Sequence, residues 1–176
     1  MPCAEILRNK GRYVPDLVMA GGFVNETQMF KAMAMSNLGD GPLIRAIAMA
    51  RAPITAVFKG DHFSKLAREG NLPRKFAEEY GTNPEQFFIT APDLRHMYPE
   101  ATLGEDIPWS AVALYTYFTE RLGTGLKQLM AGSRKFRLNL LSRTDIAALT
   151  PRAAEITGLT LIDQLEIDQM EQILDY

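Results

Sequence analysis

The sequence predicts an α/β fold, with one parallel strand–helix–strand unit near the amino terminus and a mostly helical extension after it. Two short apolar runs, Leu17 to Ala20 and Leu43 to Ala50, are typical of strands and enclose a helix-like segment. From Asp61 onward almost all local signals are helical. Strand, helix and strand within so short a stretch predict a βαβ unit with a right-handed crossover.

Composition narrows the class of protein. The chain has 176 residues, enough for one ordinary core, with 21 acidic and 19 basic side chains. This charge balance gives no positive field for a phosphate backbone, so we do not expect nucleic acid as a partner. Cys3 is the only cysteine, which excludes an internal disulfide and a cysteine-built metal centre. No apolar stretch approaches about 20 residues and no signal peptide is recognisable, so we expect a cytoplasmic protein without a membrane partner.

The amino-terminal elements follow from apolar runs and glycine stops. Residues 2 to 10 predict the end of a helix, with Gly11 as its cap. The unbroken run from Leu17 to Ala20 predicts a strand covered on both faces. Asn25 then caps a helix that extends to about Met35.

The extension is divided by cap signals. We predict Asp61 as the cap of a helix over His62 to Glu69, and Gly81 as the end of one opened by Pro73. Further helices are expected at Asn83, over Pro92 to Tyr98, over Trp109 to Ala131 with a bend at Gly123 and Gly125, over Ser133 to Leu141, after Thr144, from Thr150-Pro151 to Gly158, and over Asp163 to Leu174.

The glycine pair after the first strand is the first candidate site. Gly21 and Gly22, followed by Phe23 and a capped helix, allow backbone N–H groups to approach a bound anion. A strand-to-helix turn also requires glycine for purely structural reasons, and the pair alone favours this structural interpretation.

Arg51 follows the second strand directly after Ala50. The carboxyl ends of two parallel strands lie on the same face, so Arg51 is expected to lie near Gly21 and Gly22. A guanidinium beside an anion-binding turn predicts a phosphate site, and barrel enzymes bind phosphate in this way after their last two strands. The alternative is a salt bridge between Arg51 and an acidic neighbour.

Other candidate groups have structural interpretations. His62 and His96 lack metal-ligand spacing, and no serine, threonine or cysteine stands in a nucleophile motif. Two apolar sets are expected to be core packing, and one basic set is expected to be a solvated helix face. These sets are Tyr115, Tyr117 and Phe118; Met29, Met33 and Met35; and Arg134, Lys135, Arg137 and Arg143.

Three segments resemble the last two βα units of the flavin-binding glutamate synthase domain: Leu17 to Phe23, Asn25 to Ala32, and Ile47 to Ala52. Residues Tyr115 to Asp145 are similar to the helical tail that follows that barrel. The resemblance implies that residues 1–60 are the end of an FMN-binding (β/α)8 TIM barrel and that residues 61–176 are a helical extension packed on it.

The resemblance also implies a function. The family makes glutamate from 2-oxoglutarate and ammonia with reducing electrons, and Gly21, Gly22, Phe23, Ala50 and Arg51 match positions that bind the FMN phosphate. The first six strands and the catalytic residues are not among these residues. We therefore expect an inactive fragment that binds FMN weakly or not at all. Its partner is then the upstream part of the same barrel or a companion subunit, and its substrate a small molecule.

A second class of function remains open at this point. The chain is alternatively a non-catalytic helical interaction or binding module that retains the end of a barrel. The sequence upstream of Met1 separates the two, because six further βα units favour the enzyme.

Overall fold

The computed structural model describes residues 2–174 as a mostly helical α/β chain with one two-stranded parallel sheet. The strands are β1 (Leu17–Ala20) and β2 (Ile44–Ala48). The α-helices are α1 (Pro2–Asn9), α2 (Glu26–Ser36), α3 (Arg51–Arg68), α4 (Arg74–Tyr80), α5 (Pro84–Phe87), α6 (Ala91–Met97), α7 (Trp109–Thr116), α8 (Gly125–Gly132), α9 (Pro151–Thr157) and α10 (Ile162–Leu174). A π-helical segment (Tyr117–Thr124) joins α7 to α8, and single 3-10 turns lie at Leu138–Leu140 and Arg143–Asp145.

The sheet confirms the predicted pairing but not the predicted burial. The strands are adjacent and parallel, and Leu17 N donates to Leu43 O at 3.1 Å. β2 is shorter than the predicted Leu43 to Ala50. The expectation that β1 is covered on both faces is wrong in this chain, because Val18 is 65% and Met19 44% exposed. Only two strands pair in the described part of the chain, so this apolar surface has no neighbouring strand.

The chain divides into two compact units. The first contains the residues up to Met19, Thr27–Ile47 and the residues from Leu126 on. Its core is formed by Phe30 on α2, Met130 on α8 and Leu141, packed with four partly buried residues. These are Met33, Leu126, Leu129 and Ile146.

The second unit contains Ala20–Glu26 and Ala48–Gly125. Leu94, Trp109 and Val112 form its buried core. In this unit α3 packs closely against α7. A Cβ built on Gly60 would lie 2.4 Å from Ala113 Cβ and 3.0 Å from Trp109 O, so only glycine permits this approach.

Three helix predictions in the extension are wrong. Helix α3 begins at Arg51 and continues through Asp61, which is therefore not a cap, and α3 crosses the predicted boundary at residue 60. Pro53 is tolerated because it lies in the first turn of α3, where its missing N–H is not needed. The predicted helix over Ser133 to Leu141 is reduced to one 3-10 turn, and the turn expected after Thr144 is capped by Ser142 instead.

Other predicted boundaries are confirmed, and most of them have a cap residue. Gly81 ends α4, Asn83 forms a capping box at the start of α5, and the Thr150 hydroxyl accepts from Ala153 N at the start of α9. Gly11 and Gly158 end α1 and α9 with φ angles of +61° and +66°. The bend expected near Gly123 and Gly125 takes the form of the π-helical segment within a continuous helical run.

Candidate anion-binding site

The glycine pair lies in the turn between β1 and α2. Gly21 has a φ angle of +94° and Gly22 one of +76°, a region that side chains with a Cβ rarely adopt. A Cβ built on either residue would meet nothing within 4 Å. The turn therefore requires glycine for its own geometry, and it also leaves space for a ligand to approach the backbone.

The predicted site residues lie together. Gly21, Gly22, Phe23, Ala50 and Arg51 all line one cavity of about 450 Å³ within the second unit. The cavity is completed by Ala20, Val24, Ala48, Met49, Ala52 and Thr55. None of these described lining residues is acidic, and Arg51 is the charged one among them.

Arg51 is exposed and is the first residue of α3. Its backbone oxygen accepts a hydrogen bond from Thr55 Oγ1 at 2.8 Å. Among the ion pairs between described residues, none involves its guanidinium. The alternative interpretation of Arg51 as a salt-bridge partner is therefore not supported, and its donors are available to a ligand.

The amino terminus of α3 adds a second positive feature at the cavity. This helix has 18 residues, no acidic residue in its first turn and no side-chain cap at Ala50. The N–H groups of Arg51 and Ala52 therefore lack intrahelical partners, and the helix dipole is positive at this end. The guanidinium and the helix terminus both favour an anion.

The π-helical segment supports the glycine turn through contacts that the sequence does not reveal. Tyr117 Oη donates to Val24 O at 3.0 Å, and Arg121 Nε lies 3.5 Å from Glu26 Oε2. The Glu26 side chain is 17% exposed, whereas that of Arg121 is 62% exposed, so only the carboxylate side of this ion pair is shielded from water. Tyr117 is 93 residues from Val24 in the chain, too far for any local pattern to link them.

Burial raises the pKa of Tyr117 above its ordinary value of 10.0. The Arg121 guanidinium lowers this pKa and the Glu26 carboxylate raises it, each less strongly than burial. The phenol is therefore protonated at neutral pH and able to donate to Val24.

Several predicted roles change in the structure. Tyr115 packs against the core as expected, but Phe118 is 47% exposed and Tyr117 bonds to the glycine turn. Arg143 lies in a 3-10 turn and donates to Thr157 O, so the basic set around it is not a solvated helix face. Met33 contacts the first unit's core.

The described residues contain no cluster of three or more histidine, cysteine or carboxylate groups placed to hold a metal ion. No helix in this part of the chain is both long and apolar enough to cross a bilayer. Compared with protein-family models, curated proteins and solved structures, the chain matches none of them.

Proposed function

We propose that the cavity around Gly21, Gly22 and Arg51 binds the phosphate group of FMN. In this proposal the chain supplies the phosphate-binding end of a flavin-binding (β/α)8 barrel similar to that of the glutamate synthases. Three features that converge on one cavity support it: two left-handed glycines, a guanidinium outside every described ion pair, and an uncapped helix terminus. The described lining of this cavity has no acidic residue to oppose an anion.

The residues fit a phosphate monoester. The glycine backbone leaves room for phosphate oxygens, and a guanidinium presents donors in a planar fork that matches two of them. The helix terminus adds N–H donors and a favourable dipole. These groups bind and neutralise the phosphate, and we assign no catalytic residue in this chain.

In this proposal, residues outside this sequence form the rest of the flavin site. The lining residues are mostly glycine and alanine, which do not enclose a large ring system. Upstream strands of the same barrel, or a companion subunit, supply the walls of the ring pocket and the catalytic groups. In that complete site FMN would supply the electron transfer that glutamate formation from 2-oxoglutarate and ammonia requires.

One observation favours the second candidate, a non-catalytic binding module. The helical part of the second unit has a larger cavity, of about 710 Å³, whose lining is rich in aromatic residues. A ligand or partner could bind in this cavity without a complete barrel, as a binding module requires.

The proposal is tested by expressing the chain together with any sequence encoded in frame upstream of Met1. The expected product contains six further βα units and is purified with bound FMN, and Arg51→Ala releases the flavin. Absorbance at the flavin bands and glutamate formation with an added reductant are the readouts. An extended chain that folds without these strands or without flavin supports the binding module instead.

A further inference from the structure

The larger cavity of the second unit has the size of a small-molecule site. It is lined by residues of α3, α4, α5, α7 and the π-helical segment. It shares no described lining residue with the anion-binding cavity. It is therefore a separate candidate site, and its ligand is independent of the proposal for FMN.

Six of its thirteen described lining residues are aromatic, and four of these rings contact one another. Phe63 and Phe76 stack with their centroids 4.3 Å apart and their planes at 5°. Phe87 meets Phe76 edge to face at 5.1 Å, and Tyr80 lies 4.9 Å from Phe76. Such a wall offers ring faces and edges to a further planar ring, which packs by offset stacking or edge-to-face contact.

Two opposite charges lie in the same lining outside the described ion pairs. Lys59 on α3 and Glu120 on the π-helical segment both line the cavity. Neither side chain takes part in a described ion pair, with each other or with a third residue. The third charged lining residue, Arg121, already pairs with Glu26. Within the described part of the chain, the cavity therefore offers an ammonium and a carboxylate to a ligand beside an aromatic wall.

π-Helical segments are rare and are often found at functional sites, because the wider turn moves side chains out of α-helical register. Here the segment contributes Tyr117, Glu120 and Arg121 to the cavity wall. The local departure from α-helix thus coincides with the polar side of the cavity.

We propose that this cavity binds an aromatic amino acid as its zwitterion. The aromatic ring packs on the Phe63 and Phe76 wall, the ligand carboxylate pairs with Lys59, and the ligand ammonium pairs with Glu120. A neutral aromatic compound packs on the aromatic wall but pairs with neither protein charge. An aromatic anion or cation leaves one of the two protein charges unpaired. All three features of the ligand thus contribute to its affinity.

Trp109 provides the readout. It is the only tryptophan of the chain, and it stacks on the cavity-lining Phe88 at 5.9 Å with an interplanar angle of 16°. L-Phenylalanine does not emit in the tryptophan range, so its binding is followed by the Trp109 emission and confirmed by calorimetry. The comparison ligands are phenylpropionate, phenethylamine and L-alanine, which lack the ammonium, the carboxylate and the ring respectively.

The expected result is that L-phenylalanine binds more tightly than each of the three comparison ligands. Lys59→Met and Glu120→Gln each lower the affinity for L-phenylalanine by roughly two- to fivefold, the range for solvent-accessible ion pairs. Lys59→Met leaves the affinity for phenethylamine unchanged, because that ligand has no carboxylate to pair with Lys59. Glu120→Gln leaves the affinity for phenylpropionate unchanged, because that ligand has no ammonium to pair with Glu120. Lys127→Met, which removes an exposed lysine in the first unit, is the matched control and leaves the affinity for each ligand unchanged.

A cavity-filling variant locates the ligand. Ala56 lines the cavity from α3, and Ala56→Phe places a ring inside it, which abolishes binding while the circular dichroism spectrum stays native. Equal affinity for L-phenylalanine and phenethylamine, or unchanged affinity in both charge variants, overturns the proposal. Binding that survives in a folded Ala56→Phe variant also overturns it, as does a wild-type chain that shows neither heat nor an emission change.

Discussion

Tyr117 donates a hydrogen bond to the carbonyl oxygen of Val24, with 3.0 Å between the two oxygen atoms. Val24 lines the candidate anion-binding cavity and follows the turn that contains Gly21 and Gly22. The bond therefore connects the π-helical segment directly to the candidate site. Arg121 reinforces this connection through its ion pair with Glu26.

Tyr117→Phe removes this bond while preserving the ring. We expect the second unit to lose about 0.5–1.5 kcal/mol of stability, the net contribution of one hydrogen bond. Urea unfolding followed by Trp109 emission measures the loss. Tyr115→Phe is the control, because Tyr115 packs in the core and no described hydrogen bond involves its hydroxyl. A loss no larger than that of the control contradicts the assigned role.

The same contact predicts a pH dependence. Because burial raises the pKa of Tyr117 in the folded state, the protonated phenol contributes stability that is fully present below the unfolded value of about 10. This contribution is lost as the pH rises through the folded pKa. Urea midpoints of the wild type should therefore fall more steeply above pH 10 than those of Tyr117→Phe. Parallel curves for the two proteins count against this account.

Local signals predicted much of the fold. The bounds of β1, the end of α4 at Gly81 and the start of α9 at Thr150 depend on an apolar run, a glycine and a cap, which act within a few residues. The proximity of Gly21, Gly22, Phe23, Ala50 and Arg51 around one cavity was predicted in the same way, because two parallel strands bring their carboxyl ends together.

Features set by distant residues were not predictable. Helix α3 has no side-chain cap at Ala50, so no cap residue marks its start, and the prediction of Asp61 as a helix cap is wrong. The exposure of Val18 depends on which strands pair with β1, and the role of Tyr117 depends on a contact across 93 residues. Periodicity and caps carry no information about such contacts.

Gly60→Ala tests the close packing of α3 on α7. Alanine favours a helix over glycine by about 1 kcal/mol, but its methyl group would lie 2.4 Å from Ala113 Cβ. We expect overpacking to prevail, with a net loss of about 1–3 kcal/mol in urea unfolding. Gly132→Ala is the control, because a Cβ there meets nothing within 4 Å. Equal stability of the two variants contradicts the packing argument.

The exposed sheet predicts self-association of the isolated chain. Val18 and Met19 present apolar side chains on β1, and two-stranded sheets have unpaired edges. Sedimentation velocity should show mass increasing with concentration, and Val18→Lys should reduce it. Leu149→Lys, which changes an even more exposed apolar residue outside the sheet, should have a smaller effect. A concentration-independent monomer rules out this prediction.

Arg51→Ala and Gly22→Ala test the two halves of the anion site. In a chain carrying the upstream strands, loss of the charge-assisted hydrogen bonds of Arg51 should lower FMN affinity by roughly ten- to a hundredfold. Arg51→Lys should retain only part of the FMN affinity that Arg51→Ala loses, because an ammonium lacks the planar fork of a guanidinium. Gly22→Ala should also weaken binding, because alanine opposes the φ angle of +76°.

The comparison of FMN with riboflavin tests the central claim most directly, because the two flavins differ by the phosphate alone. A chain carrying the upstream strands is titrated with each flavin, and binding is followed by the amide chemical shifts of Gly21, Gly22 and Arg51. We predict tighter binding of FMN, and loss of this difference in Arg51→Ala but not in Arg68→Ala, which removes an arginine from the other end of α3. Equal affinity for the two flavins, or a preference for FMN that survives Arg51→Ala, would contradict the phosphate site.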